Sequence, residues 1–320
     1  MASSKEFHLQ LQEIAAWLWN KDDIIILTHK HPDGDTLGAA FGLYYAFVEN
    51  GKSACVINAD SFPEKFAYFY PSSMKDANGQ IVVAVDIADA QLLGDSLEAY
   101  REKVDLCIDH HRVNRLAAKR KFVDEHASST CEIVFELLQY LGITVSQRIA
   151  DALYTGICTD TGCFRYSNTT AASLRAAAKL MDFGARAEEI NRTMFEIKSF
   201  ARLSLERMVL DEMQFYYENR CCVVAVTNAM MLQAKADEPT FDGIPAMTRM
   251  VEGVQIGVTI RERDSMHYKI SFRTSQEVDA SALAACFNGG GHVRAAGCTM
   301  EGDLEEVHNR LLNEIGHWVK

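Results

Sequence analysis

Carboxylates and imidazoles stand directly behind apolar runs at four places in this chain, which is how a protein gathers a metal site along one edge of a sheet. The four stretches are Thr28-His-Lys-His-Pro-Asp-Gly-Asp35, Asp86-Ile-Ala-Asp89, Asp109-His-His111 and Thr159-Asp-Thr161. Oxygen and imidazole donors with no cysteine placed to compete suit Mn²⁺, Mg²⁺ or Fe²⁺ and argue against a thiolate-rich structural zinc site. Five or more such donors exceed what one ion needs. Two ions about 3.5–4 Å apart, sharing a bridging carboxylate, would use them all and would activate water for in-line attack on phosphorus. The chemistry indicated is metal-dependent phosphoryl hydrolysis.

The elements that must position these residues alternate. Ile24-Ile-Ile-Leu27 runs into His29, Ile81-Val-Val-Ala-Val85 into Asp86, and Val104-Asp-Leu-Cys-Ile108 into Asp109. Each run is short, β-branched and almost wholly apolar, as in a buried parallel strand. Val56-Ile57, after the Gly51 turn, adds a fourth. Helical spacing over Thr36 to Glu49, Ala90 to Tyr100 and Glu132 to Leu141 separates them, so the pattern predicts a doubly wound α/β domain with a parallel sheet. Ligands of such sheets sit outside the carboxyl ends of the strands. A lone Asp after a strand is an ordinary cap, and Asp35 by itself reads as the cap of a helix starting near Thr36. The accumulation of His29, Asp33, Asp35, Asp86, Asp109, His110, His111 and Asp160 at the ends of different elements favours a shared crevice instead.

Asp109-His110-His111, with His29-x-x-x-Asp33-x-Asp35 upstream, Asp86 between them and Asp160 after them, resembles the DHH phosphoesterase superfamily in motif order and spacing. Gly289-Gly-Gly-His-Val-Arg-Ala-Ala-Gly297 resembles the signature of the DHH-associated C-terminal substrate domain. A two-domain chain of this kind is similar to the NrnA-type nanoRNases, which also dephosphorylate 3′-phosphoadenosine 5′-phosphate (pAp). The resemblance implies one ion on His29, Asp33 and Asp86 and a second on Asp35, Asp86, His110 and Asp160, with Asp86 as the bridge. It implies that His111 meets the substrate phosphate or leaving group and that Asp109 orients an imidazole from behind. His31 departs from the Asn of many relatives; the four-residue spacing to Asp33 favours His29 over His31 as the ligand.

Three glycines would let the backbone approach an anion closely, and His292 and Arg294 would add charge-assisted hydrogen bonds to phosphate. The competing reading of Gly289, Gly290 and Gly291 is a tight turn between a helix over Ser281 to Phe287 and a following strand. Arg273, in the strand-like Tyr268-Lys-Ile-Ser-Phe-Arg273, occupies a place where relatives carry a substrate-contacting arginine; alternatively it is a solvated strand arginine. Ser128, Ser129 and Thr130 read as the N-cap of the helix that follows.

At 320 residues and 48% hydrophobic the chain is long enough for two domains. The expected division is a DHH catalytic domain over 1–185, a charged helical connector over 186–210 and a smaller mixed α/β substrate domain over 211–320, with substrate in the crevice between domains. Met1-Ala-Ser-Ser-Lys-Glu-Phe shows no basic, apolar leader pattern, and no run approaches the roughly 20 apolar residues of a membrane span. Nine cysteines in no paired framework fit reduced thiols and a cytoplasmic location.

A net charge of −12 argues against gripping long nucleic acid through many phosphates. The cluster Arg112, Arg115, Lys119, Arg120 and Lys121 reads as a solvated face. The expectation is therefore a hydrolase with two divalent ions, Mn²⁺ first with Mg²⁺ or Fe²⁺ as alternatives, acting on short oligoribonucleotides (nanoRNA, pApA) or pAp, and a homodimer by resemblance. Cyclic di-AMP and pyrophosphate or polyphosphate are the enzymatic alternatives. A nucleotide sensor is the non-enzymatic one, weakened because a degenerate site would have lost ligands and none is missing.

Overall fold

The structure is a computed structural model that describes residues 4–75, 79, 81–275 and 277–319; Met1–Ser3, at the head of the stretch read for a leader, lie outside them. The chain divides into two compact units, Met1–Ile197 and Lys198–Lys320. Among the described residues no helix is long and apolar enough to cross a membrane.

The first unit contains, in order, α1 (Ser4–Trp19), β1 (Ile24–Leu27), α2 (Gly34–Val48), β2 (Ala54–Ile57), β3 (Ile81–Val85), β4 (Leu106–Asp109), β5 (Arg120–Val123), α3 (Thr130–Tyr140), α4 (Gln147–Asp160), α5 (Ala171–Asp182) and α6 (Ala187–Asn191). The strands form one parallel sheet in the order β2-β1-β3-β4-β5, as the apolar runs predict. Alternate residues of the same strands feed two cores. Ile24, Ile26, Val83, Val85, Leu106 and Ile108 pack with the helices in one, while Ile25, Leu27, Val82, Ala84 and Cys107 join Leu93, Leu97 and Leu116 in the other. The two-sided parallel sheet of the predicted class is therefore present.

The second face differs from expectation in detail. Residues 90–100 are not a helix but two 3₁₀ turns, Ala90–Leu93 and Asp95–Tyr100, because Gly94 at φ +76° breaks the run between them. The strand expected from Val104 begins at Leu106. The Asp105 carboxylate is occupied just before it, accepting from the Val82 N–H (2.9 Å) and pairing with Lys119 (2.7 Å).

Beneath the site, α2 and α4 cross on glycines. A Cβ on Gly38 would lie 2.4 Å from the Ala152 carbonyl oxygen, and one on Gly156 would lie 2.1 Å from Cys131 Sγ and 2.9 Å from Asp35 Oδ1. Gly156→Ala is accordingly expected to cost about 1–3 kcal/mol through overpacking, read as a lower thermal midpoint in chelator. Because the added methyl also pushes on Asp35, the variant should lose metal affinity as well.

The second unit contains α7 (Phe200–Asp211), β6 (Gln214–Tyr216), β7 (Cys221–Val226), α8 (Asn228–Ala234), α9 (Glu238–Phe241), α10 (Ile244–Met247), β8 (Ile256–Glu262), β9 (His267–Thr274), α11 (Ala280–Ala285), β10 (Gly290–His292), β11 (Ala295–Glu301) and α12 (Leu304–Ile315). Its sheet runs β10-β11-β9-β8-β7-β6 and is antiparallel except for the β7–β8 pair. One core is built from β8, β9, β11, α11 and α12, the other from α7, β7 and α8 with Phe241 and Ile244. In the span 186–210, α6 buries Ala187 and Ile190 in the first unit's core, and α7 buries Leu205, Met208 and Val209 in the second's.

Candidate metal centre

The strand ends of the first unit converge as parallel-sheet geometry requires. Behind β1, Asn58 Nδ2 donates to Thr28 Oγ1 and to the His29 carbonyl, both at 2.6 Å, and pins the turn that carries His29. Asp33 caps α2, accepting from the Asp35 and Thr36 N–H groups at 3.0 and 3.1 Å. The cap is thus Asp33, and Asp35, in the first turn, is released from that duty. Asp86 follows β3 at φ +59° and is 3% exposed, with its N–H donating to the Ile108 carbonyl. Asp109 ends β4, fully buried, and Asp160 ends α4.

These side chains form three groups whose ligand atoms lie within 4.8 Å of one another: His29, Asp33 and Asp86; Asp35, His110 and Asp160; and Asp86, His110 and His111. His29 Nε2 is 3.6 Å from Asp33 Oδ1 and 3.5 Å from Asp86 Oδ2, while His110 Nε2 is 3.7–3.8 Å from Asp35, Asp86 and Asp160. Asp86 therefore faces both sets. The Nδ1 atoms of His29 and His110 face the Lys30 and Ala127 carbonyls at 2.8 and 3.4 Å, so the Nε2 atoms are the ones presented to the carboxylates. His31 is not in the cluster: it points to solvent and pairs with Asp60 at 3.3 Å.

The electrostatics are those of a site short of positive charge. Burial, then repulsion from Asp86, Asp160 and Asp33, raises the Asp35 carboxyl well above the usual carboxylate range. Burial also raises Asp160, to about 6, with the charge of His110 opposing and that of Asp86 adding. Burial works against a charged His29, but hydrogen bonds and charge from Asp33 and Asp86 outweigh it and push the imidazole up to about 11. Clustered carboxylates facing neutral-capable imidazole nitrogens fit divalent cations, which would relieve the repulsion that now holds protons in the site.

Asp109 stands behind this cluster. Its Oδ1 meets His111 Nδ1 at 2.7 Å, which leaves Nε2 as the free ring nitrogen of a half-exposed imidazole. The Asp109 hydrogen bond is the main cause raising the His111 pKa, to about 9.

Three contributors were not legible in the sequence. The first-turn N–H groups of α3, at Thr130 and Cys131, donate to the two Asp35 oxygens at 2.7 and 2.8 Å, and Thr130 Oγ1 donates to Asp86 Oδ1 at 3.1 Å. This is carboxylate binding at a helix N-terminus, and the only sequence signal was the cap, supplied by Ser129. Asn168 donates to the Asp160 carbonyl at 3.1 Å. Asn114 Nδ2 donates to Asp109 Oδ2 at 2.7 Å, and Lys121 Nζ donates to Asn114 Oδ1 at 3.1 Å.

Asn114→Ala frees Asp109 and through it His111. Activity is expected to fall about 10–100-fold, as for other partners that orient a site histidine, while the melting profile keeps its single-transition shape; steady-state kinetics and thermal unfolding check both.

The second-unit residues lie on β9, on β10 with Gly289 just before it, and in the β10–β11 turn. Gly290 pairs with Gly297 and His292 with Ala295, so the glycine run is the edge of a hairpin whose two-residue turn is Val293-Arg294. A Cβ at Gly289 would lie 2.3 Å from the Gly297 carbonyl oxygen, and one at Gly291, which sits at φ +148°, would lie 2.6 Å from Ala296 Cα; a Cβ at Gly290 would meet nothing within 4 Å. His292 is exposed at the strand end. Arg294 donates to the Val278 and Ser275 carbonyls, bracing the hairpin. Arg273 lies on β9 opposite Gly257 and Ala295, its Nη1 donating to the Phe272 carbonyl at 3.0 Å. Burial lowers its pKa.

Comparison with known proteins places these features in a wider set. Residues 23–157 match the DHH family, N-terminal domain, and residues 220–320 match the DHHA1 domain. The chain is 34% identical over 302 residues to the bifunctional oligoribonuclease and PAP phosphatase NrnA of Thermus thermophilus, covering 91% of this chain and 89% of that one. It is 25% identical over 287 residues to the protein of the same name from Bacillus subtilis, covering 87% and 90%. Among solved structures, an exopolyphosphatase-related protein from Bacteroides fragilis superimposes with a TM-score of 0.85 at 25% identity, covering 96% of both chains.

Proposed function

Since the chain belongs to the DHH phosphoesterase family and is a metal-dependent hydrolase of that kind, we propose that it cleaves short oligoribonucleotides and removes the 3′-phosphate of pAp, giving AMP and phosphate. The observation that carries the substrate assignment is the 34% identity to the Thermus thermophilus NrnA, spread over nearly the full length of both chains. The net charge of −12 agrees with a site that takes few phosphates.

In this reading His29, Asp33 and Asp86 hold one ion and Asp35, Asp86, His110 and Asp160 the other, with Mn²⁺ the expected metal and the cytoplasm the expected location. Two ions bound there would supply Lewis-acid charge at phosphorus and lower the pKa of water. The protein's own groups do the rest. Asp109 fixes the His111 ring through Nδ1 so that Nε2 can donate to a phosphate oxygen or to the departing oxygen. The N-terminus of α3 holds both Asp35 oxygens in place, and Asn168 ties the end of α4 at Asp160. Arg273, His292, Arg294 and the backbone of half-buried Gly289 and exposed Gly290 and Gly291 are assigned to substrate phosphate and ribose. Within the run, Gly290 is the position where no packing contact explains the missing side chain.

The test is a competition. Purified protein with Mn²⁺ is given an equimolar mixture of pAp, pApA, cyclic di-AMP and pyrophosphate, each followed by mass spectrometry with and without chelator. Chelator-sensitive loss of pAp and pApA ahead of the others is expected. Consumption of pyrophosphate alone, or of nothing, would contradict the substrate assignment.

A further inference from the structure

The segment that leaves Asp160 takes a course that L-residues avoid. Gly162, Cys163 and Phe164 follow one another at φ +56°, +57° and +61°, a single left-handed turn with a bulky aromatic in it. The turn is locked from several sides. Arg165 Nε donates to the Gly162 carbonyl at 2.7 Å, and its guanidinium lies over the Phe195 ring. The Tyr166 N–H donates to the Thr161 carbonyl at 3.0 Å, and Asn168 closes the loop on the carbonyls of Asp160 (3.1 Å) and Ser128 (3.0 Å).

What this construction presents is the ring of Tyr166. The ring is seated on the bare backbone of Gly162: a Cβ there would lie 2.3 Å from Tyr166 Cζ and 2.5 Å from each Cε. The residue is nonetheless 59% exposed, and among the described residues its hydroxyl has no hydrogen-bond partner. Seating on glycine fixes the ring without burying it, and neither core nor hydrogen bonding accounts for an aromatic side chain at this position. Gly162 is two residues from Asp160, a backbone span of at most about 7 Å, so the ring is seated on the segment that leaves a candidate metal-binding carboxylate.

We propose that Tyr166 is a stacking platform for the heterocyclic base of the nucleotide whose phosphate enters the metal centre. The proposal rests on the nucleotide phosphoesterase reading and deepens it. Every base has a π-face, so stacking grips the base while tolerating its identity, which suits an enzyme meeting short RNA of mixed sequence. The strained turn pre-organises the ring, so little side-chain freedom is lost on binding.

The experiment compares AMP with ribose 5-phosphate, which shares the phosphate and sugar and lacks the base, by titration calorimetry on the full chain in Mn²⁺. Wild type should bind AMP the more tightly. Y166A should weaken AMP about 5- to 150-fold, the range carried by one base–aromatic stack, and leave ribose 5-phosphate unchanged, which also reports an intact site. Y166F should match wild type. Equal affinity of wild type for the two ligands, no AMP binding, equal weakening of both by Y166A, or loss in Y166F would each overturn the proposal. Absence of nucleotide hydrolysis by wild type would instead refute the phosphoesterase reading, and the base-dependent affinity would still report on Tyr166.

Discussion

Asp86→Asn is expected to lower kcat/KM about a thousandfold or more, the equivalent of about 4 kcal/mol of transition-state stabilisation, while changing the stability of the metal-free protein little. The two halves of that expectation have one cause. Asp86 is buried, faces both sets of candidate ligands, and raises the pKa of Asp35 and Asp160 by its charge. Neutralising it removes repulsion on Asp35 and Asp160, offsets that gain by taking away one of the two carboxylates that hold His29 charged, and removes the group best placed to bridge two ions. Asparagine is the right probe because residue 86 sits at φ +59°, a left-handed conformation that Asn tolerates better than Ala. Its amide oxygen can also keep the hydrogen bond from Thr130 Oγ1. Alanine would mix backbone strain with the loss of a ligand. Kinetics with thermal unfolding in chelator separates the effects; a large stability loss, or near-normal turnover, would remove Asp86 from the centre of the account.

Adding Mn²⁺ to metal-free protein should raise the melting temperature, and more so at higher pH. One ion at a hundred times its Kd contributes about 2.7 kcal/mol, and at about 2–4 °C per kcal/mol for a unit of this size the rise is about 5–11 °C for each site filled. The pH dependence follows from the direction of the shifts. His29, raised from 6.5 to about 11, contributes stability to the metal-free fold that is complete below pH 6.5 and is lost as pH rises through about 11. Asp160, raised from 3.8 to about 6, contributes stability that is complete below 3.8 and lost through about 6. Both groups hold protons that an ion must displace, so the metal-induced rise should be larger at about pH 8.5 than at about pH 6. Differential scanning fluorimetry over that range, with Asp86→Asn as the control, reads the effect directly; a rise independent of pH, or one retained in full by Asp86→Asn, would contradict it.

The parts of this site that were legible in the sequence are those carried by local pattern. β1 and β3 are continuous apolar runs with an acid or imidazole at the next turn, so strand, direction and candidate ligand are written within a few residues. β5 was not legible, because Arg-Lys-Phe-Val offers only Phe122 to the core and occupies a sheet edge. Two members of the basic cluster, Arg120 and Lys121, belong to it, with Arg120 over the Trp17 ring and Lys121 on Asn114. The support behind the ligands was also hidden. Asp35 and the N-terminus of α3 are 95 residues apart in sequence, and no local rule links a capping Ser-Thr pair to a distant carboxylate. The glycine run shows the opposite case, a strong local signal with two meanings. Gly291 and Gly297 admit close strand pairing, whereas Gly290 has open space in front of it, and only the register of β10 against β11 separates these demands.

The most direct test of the two-ion centre is the anomalous scattering of crystals grown with Mn²⁺, recorded at the manganese edge. Two peaks about 3.5–4 Å apart are expected, one against His29, Asp33 and Asp86 and the other against Asp35, His110 and Asp160, with Asp86 touching both. A single peak, or peaks away from these side chains, would contradict the account.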